Sequence, residues 1–186
     1  MEIPKKIYFK IRPLILPIND ILKFIPSKSS ILDLGCGKGL LVDHIQNFKF
    51  YTGVDLNVKH ENVSQNIKFI RGDCTKFIFN DLKSFDTFLL IDLLHHIPRN
   101  KQTYFLNILI KKLKLGDTII IKDIFPRGLI FKFWNSFHDL IISKQIINYF
   151  DFNYFQQSLN SNILLVANYH KRVFLYDHYF LILQKN

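Results

Sequence analysis

The chain has 186 residues, 48% hydrophobic and 15% aromatic, a length for one core and a composition that excludes a disordered chain. No apolar run approaches the ~20 residues that span a bilayer, and Met1 to Lys6 offer no apolar stretch with a small-residue cleavage site, so the cytoplasm is the expected compartment. The net charge of +10, from 25 Lys+Arg against 15 Asp+Glu, admits nucleic acid or an anionic membrane surface as partner, but the lysines are scattered rather than blocked.

Residues 1–29 read as an N-terminal arm and a short helix. Pro4, Pro13 and Pro17 break any continuous helix, and Asn19 or Asp20 can cap a short one that Pro26 stops. Residues 30–186 read as one domain. Its first strand, Ile31 to Leu34, runs into Gly35-Cys36-Gly37-Lys38-Gly39, and Leu40 to Ile45 has apolar spacing that suits a helix. Such a strand, glycine turn and helix let backbone approach a ligand closely. A dinucleotide-binding turn would read G-x-G-x-x-G, whereas here the third glycine comes one place early, which speaks against a nicotinamide oxidoreductase.

Phe50 to Leu56 form a second strand ending in Asp55, twenty residues beyond Gly35, where parallel nucleotide-binding sheets place the acid that accepts ribose hydroxyls. Residues 67–74 give a third strand, and Asp73 also suits a helix N-cap. A fourth strand, Phe85 to Ile91, precedes Asp92-Leu93-Leu94-His95-His96-Ile97-Pro98. Ligands gather at this carboxyl edge of open sheets, so Asp92, His95 and His96 are candidates to face substrate, a histidine serving as proton acceptor. A helix opened at Asn100 or Thr103, a fifth strand over 118–123, an amphipathic helix over 127–142 holding Trp134, and two last strands over 162–167 and 176–183 follow. The link over 168–175 reads as basic and long for a tight hairpin. The expected fold class is α/β: a single Rossmann-like domain with a mostly parallel sheet, helices on both faces and a C-terminal antiparallel strand pair. Cys36 and Cys74 make no disulfide framework, and no metal is expected.

The run D-x-G-x-G-x-G, followed by Asp55, Asp73 and Asp92-x-x-His95-His96, resembles the class I S-adenosylmethionine-dependent methyltransferases. The resemblance implies S-adenosyl-L-methionine as cofactor. Asp33 would meet its methionine end, and Gly35, Cys36, Gly37 and Gly39 would line its sugar and amino acid. Asp55 and Leu56 would lie at the ribose, Asp73 and Cys74 at the adenine, and Asp92 at the reacting edge. The His-His pair resembles that of many small-molecule methyltransferases. Asp123, Trp134, Asn135, His138 and Asp139 resemble a subgroup acting on lipid-linked or surface-glycan intermediates, which adds His138 to the catalytic candidates Asp92, His95 and His96. The Pro-Pro-aromatic sequence of base-amino methyltransferases is absent, as is the placed cysteine of pyrimidine C5 enzymes. The implied reaction is O- or C-methylation of a small-molecule or lipid-linked acceptor, with peripheral contact to an anionic membrane surface. RNA methylation and a non-catalytic, cofactor-binding partner subunit are the alternatives. The sequence leaves the oligomeric state open.

Overall fold

A computed structural model of the chain describes residues 15–58, 62–125, 148–157, 159, 161–174 and 176–186. The helix expected over 127–142, with Trp134, Asn135, His138 and Asp139, lies outside the described residues, as does the proline-rich stretch 1–14.

In chain order the elements are α1 (Ile18–Leu22), β1 (Ser30–Leu34), β2 (Phe50–Asp55), β3 (Asn62–Ser64), β4 (Ile67–Arg71), α2 (Cys74–Phe77), β5 (Thr87–Ile91), α3 (Arg99–Lys112), β6 (Thr118–Ile124), α4 (Phe152–Gln157), β7 (Ile163–Val173) and β8 (Tyr176–Lys185). They build an eight-stranded sheet in the order β3-β4-β2-β1-β5-β6-β8-β7. Strands β4, β2, β1, β5 and β6 are mutually parallel, while β8, β7 and the short edge strand β3 run antiparallel to their neighbours. The strand order reverses between β1 and β5, and such a reversal opens a crevice at the carboxyl ends of the strands.

The central strands are near-continuous apolar runs because both faces are covered; every residue of β1, β5 and β6 is buried. On one face Leu32, Leu34, Phe88, Leu90, Ile119 and Ile121 meet Phe105, Leu106, Leu109 and Ile110 of α3. That helix opens after Pro98 and buries residues 102, 105, 106, 109 and 110, the spacing of a core-facing stripe, with Lys111 and Lys112 in its last turn. On the other face Ile31, Tyr51, Leu89, Ile91, Ile120, Phe180 and Ile182 meet Leu16 and Ile21 of the α1 region.

Two expectations need correction. Leu40 to Ile45 do not form an α-helix: a single 3-10 turn, Val42–His44, follows the glycine loop, and the chain is extended again at Ile45. The apolar spacing there instead seats Leu41, Val42 and Ile45 on the layer of Tyr51 and Phe69. Residues 168–173 are not a loop either. Strand β7 continues to Val173, pairs with Tyr176, and turns through Phe174 at φ +53. Among the described residues no helix is long and apolar enough to cross a membrane.

Candidate functional site

The glycine loop leaves β1 at its carboxyl end. The backbone N–H groups of Gly35 and Cys36 both donate to Val54 O, at 2.8 and 3.3 Å, which fastens the loop to β2. Two of its glycines do different work. A Cβ at Gly39 would stand 2.4 Å from Cζ of Phe69, so this position is fixed by packing. A Cβ at Gly37 would meet nothing within 4 Å, at φ +59, so its bareness faces open space instead of the core.

That space is edged by carboxylates. Asp55, half-buried at the end of β2, accepts the Gly37 N–H at 3.0 Å and the Asn57 N–H at 2.8 Å. One oxygen takes each bond, so both oxygens keep lone pairs for further donors. Leu56 beside it is exposed and offers an apolar surface. Asp73 caps α2, accepting the Thr75 N–H at 2.8 Å and its hydroxyl at 2.6 Å, and those bonds hold its carboxyl below the usual range. Asp33 is buried and accepts the Tyr51 hydroxyl at 2.5 Å. Burial, then the neighbouring Asp33, pushes the Tyr51 phenol well up.

Of the two cysteines beside this edge, Cys74 is the more deeply set. Cys74 is buried, donates to Val54 O at 3.2 Å, and its thiol is pushed up to about 12 by burial. Cys36 is half-buried and its thiol is raised as well, by burial and then by Asp33. Neither is an activated nucleophile.

The second half of the site is the end of β5. Asp92 takes a left-handed φ of +55 and donates its N–H to Lys122 O at 2.8 Å. Its carboxylate accepts from Nζ of Lys122 at 2.6 Å, and that lysine is almost wholly buried. The following 3-10 turn, Leu94–His96, carries the two histidines in unlike settings. His95 is buried, and its Nδ1 hydrogen-bonds Oδ1 of Asp123, while its backbone N–H donates to Oδ2 of the same residue at 3.2 Å. His96 is exposed, its ring 4.0 Å from that of His95 between centroids. From α3, the Gln102 amide donates to Leu94 O, Ile97 O and Asn148 O at 2.9, 3.1 and 2.7 Å, pinning the turn.

Asp92, His95 and Asp123 bring one ligand atom each within 4.8 Å of one another. The Lys122 ammonium on Asp92 and the imidazole on Asp123 join these acids to cations and donors of the chain itself, so the group reads as a hydrogen-bonded network. The structure thus gathers Asp33, Gly35, Gly37, Asp55 and Asp73 around one crevice edge and Asp92 and His95 at the next strand end. His138 lies outside the described residues.

Sequence reasoning passed over Lys122, Gln102 and Tyr51, and named Asp123 without its role as the partner of His95. Lys122 had a legible signal: it is the one cation inside the apolar strand Thr118–Ile124. The others depend on contacts between distant elements.

Residues 32–121 match the family model of a methyltransferase domain. No curated protein sequence matches the chain. Among solved structures, an S-adenosylmethionine-dependent methyltransferase of Methanosarcina mazei is 18% identical with a TM-score of 0.65, over 91% of this chain and 97% of that one. The 1,6-didemethyltoxoflavin-N1-methyltransferase of Burkholderia thailandensis, solved with 1,6-didemethyltoxoflavin and S-adenosylhomocysteine, is 14% identical with a TM-score of 0.71, over 97% of this chain and 82% of that one. A chain from the Haloferax volcanii complex formed with the Trm112 methyltransferase activator is 12% identical with a TM-score of 0.72, over 97% and 93%. At these identities the likeness is one of fold.

Proposed function

The chain belongs to the class I S-adenosylmethionine-dependent methyltransferase family, and from that premise we propose that it methylates an oxygen or carbon of a small-molecule or lipid-linked acceptor, with His95 as the base. Its cofactor is S-adenosylmethionine. The residues suit that group: open space at Gly37, spare lone pairs on Asp55 for a ribose diol, an exposed Leu56, and Asp73 in reach of the same edge. When bound, the cofactor supplies a methyl group made electrophilic by its sulfonium.

The observation that carries the choice of base is the buried His95–Asp123 pair at the ends of β5 and β6. In the tautomer that donates Nδ1–H to Asp123, Nε2 is the basic nitrogen of the ring, and the backbone bond from His95 to the same carboxylate fixes the ring's orientation. His95 then takes the proton that the acceptor atom releases as it gains the methyl group, and Asp123 stabilises the imidazolium that forms. Holding acceptor and methyl donor in line supplies much of the remaining acceleration. Asp92, held by Lys122, shapes the edge the acceptor meets.

Calorimetric titration with S-adenosylmethionine and S-adenosylhomocysteine tests the cofactor half. Wild type should bind both, and Asp55→Ala should weaken binding by about 1–3 kcal/mol, the loss of charge-assisted hydrogen bonds. Transfer of radiolabelled methyl into small-molecule and lipid extracts, compared with total RNA, tests the acceptor class, and His95→Gln should abolish it. Failure of wild type to bind either cofactor form would overturn the reading.

A second reading, a subunit that works with a partner protein, draws support from the edge strand β7, where Leu164, Leu165 and Val166 are all exposed. Exposed edge strands are templates for another chain. Light scattering of the purified chain, alone and pulled down from its own cell extract, separates a lone monomer from a stable complex.

A further inference from the structure

Lys122 has a neighbour besides Asp92 that the proposed reaction leaves unused. In the β6–β8 ladder Lys122 stands opposite Phe180 and Ile124 opposite His178, so Lys122 and His178 are diagonal neighbours on one face of the sheet. His178 is 2% exposed, and neither ring nitrogen makes a well-aligned hydrogen bond, the Ile15 backbone being only a loose partner of the ring. Buried polar groups are nearly always paired, so an imidazole held only by this loose backbone contact keeps bonding capacity for a further partner. The ring is held neutral: burial, then the Lys122 ammonium, lowers it to about 3, with Asp92 and Asp177 opposing.

The placement adds meaning. Asp92, Lys122 and His178 come from the ends of β5, β6 and β8, on the side of the sheet that also holds Asp33 and Tyr51. Over this end lies the segment leading into α1. The backbone of Ile15 stands beside the His178 ring, and Leu16 and Ile21 are buried on the same layer. The segment is tied down at its edge by Asp20, which pairs with Lys23 and with Lys171, and Lys171 is the residue opposite His178 on β7. These ties are at the surface and therefore weak.

We propose that His178, with Lys122 beside it, forms an acceptor subsite for an uncharged hydroxyl or carboxamide group, entered when the segment Ile15–Leu22 lifts from the sheet. The reading rests on the methyltransferase function above and names the acceptor chemistry that site selects. The group is uncharged because Lys122 is already balanced by Asp92, and the same ammonium opposes a second positive charge on the imidazole. A neutral imidazole offers one donor and one acceptor, which a hydroxyl or a primary amide satisfies together.

The test uses the full chain carrying ring-15N histidine, saturated with S-adenosylhomocysteine and titrated with phenol, benzamide or benzoate. Phenol and benzamide should move the His178 ring resonances, and benzoate should not. His178→Phe should weaken phenol binding by about tenfold or more, the loss of a hydrogen bond in a buried site, with the affinity for S-adenosylhomocysteine unchanged. His178→Gln, which keeps a donor and an acceptor, should retain most phenol binding. His178→Phe should also melt above wild type, since a loosely paired buried imidazole is gone, whereas a histidine with a purely structural role would leave the variant melting lower. Preference for benzoate, no response to any fragment, or phenol binding indifferent to His178→Phe would overturn the subsite. A His178 response to phenol in protein that binds neither cofactor form would leave the subsite standing and remove the methyltransferase reading.

Discussion

Lys122 and Asp92, thirty residues apart, meet at 2.6 Å across the ends of two adjacent parallel strands, the lysine side chain 1% exposed and the aspartate 15%. The backbone repeats the link, Asp92 N–H to Lys122 O at 2.8 Å. Breaking a buried ion pair by removing one partner typically costs about 3–5 kcal/mol. Lys122→Met should therefore lower stability toward the bottom of that range, since Asp92 keeps some water. Lys122→Met with Asp92→Asn should recover much of the loss, because both charges are gone and asparagine tolerates the left-handed φ at this position. Urea denaturation of the four proteins in the cycle measures the coupling; additive losses would show that the pair does not hold the site together.

Gly37 and Gly39 separate ligand approach from packing. Each has a positive φ, so alanine at either strains the backbone by about 1–2 kcal/mol. At Gly39 the added methyl also collides with Phe69, and Gly39→Ala should lose about 3 kcal/mol or more. At Gly37 the methyl meets open space in the protein, on the side where the proposed cofactor would lie. Gly37→Ala should stay folded and bind S-adenosylmethionine at least ~10-fold more weakly, a loss of about 1.4 kcal/mol. Equal stability losses at the two positions, with cofactor affinity preserved at Gly37, would contradict this division.

Asp73 carries a cap and a charge, and two substitutions tell them apart. Asp73→Ala removes the cap on α2 and should cost about 0.5–2 kcal/mol. Asp73→Ser keeps an N-cap oxygen and should melt near wild type, and on the proposed role of Asp73 at the cofactor's adenine it should bind S-adenosylmethionine more weakly. Because the folded carboxyl lies below its ordinary value, its contribution to stability is present above the usual carboxylate range and fades as pH falls through the lowered value. The serine variant should lack that acid-sensitive part. Thermal melts from neutral pH down to about pH 3 follow it.

How much of this was legible depended on whether a residue's neighbours lay near it in sequence. Ile31 to Leu34, Phe85 to Ile91 and Thr118 to Asp123 read as strands because a parallel sheet covered on both faces needs apolar runs. The glycine loop, Asp55 and Asp73 were readable as a set because each ends or follows such a strand. Leu40 to Ile45 misled, since apolar spacing records burial, and here a 3-10 turn supplies the burial. The second half of β7 was hidden for the opposite reason: an edge strand solvates much of its surface, so Asn168, Lys171 and Arg172 look like loop. Nothing local pairs His95 with Asp123 or Lys122 with Asp92. Those partnerships exist only once β5 and β6 lie side by side.

His178 gives the molecule a pH signature whose sign follows from its depressed value. Above about pH 6.5 the ring is neutral folded or unfolded and contributes no pH dependence. As pH falls below that value the unfolded chain takes up a proton that the native protein refuses until about 3, so the native state loses ground across this window. One such group accounts for a slope of up to about 1.4 kcal/mol per pH unit. The charges that bear on the ring are Lys122 on β6, Asp92 beyond β5, Asp177 beside it on β8 and Lys171 opposite it on β7, the last paired with Asp20 of α1. Arg172 clamps Asp177 through two bonds of 3.0 Å. His178→Phe should therefore flatten the fall in stability between pH 6 and 4 and leave stability above pH 7 no lower than wild type. Urea midpoints at several pH values measure both limbs. An unchanged acid slope in His178→Phe would mean that the ring gains a proton within the native state, and that Lys122 does not keep it neutral.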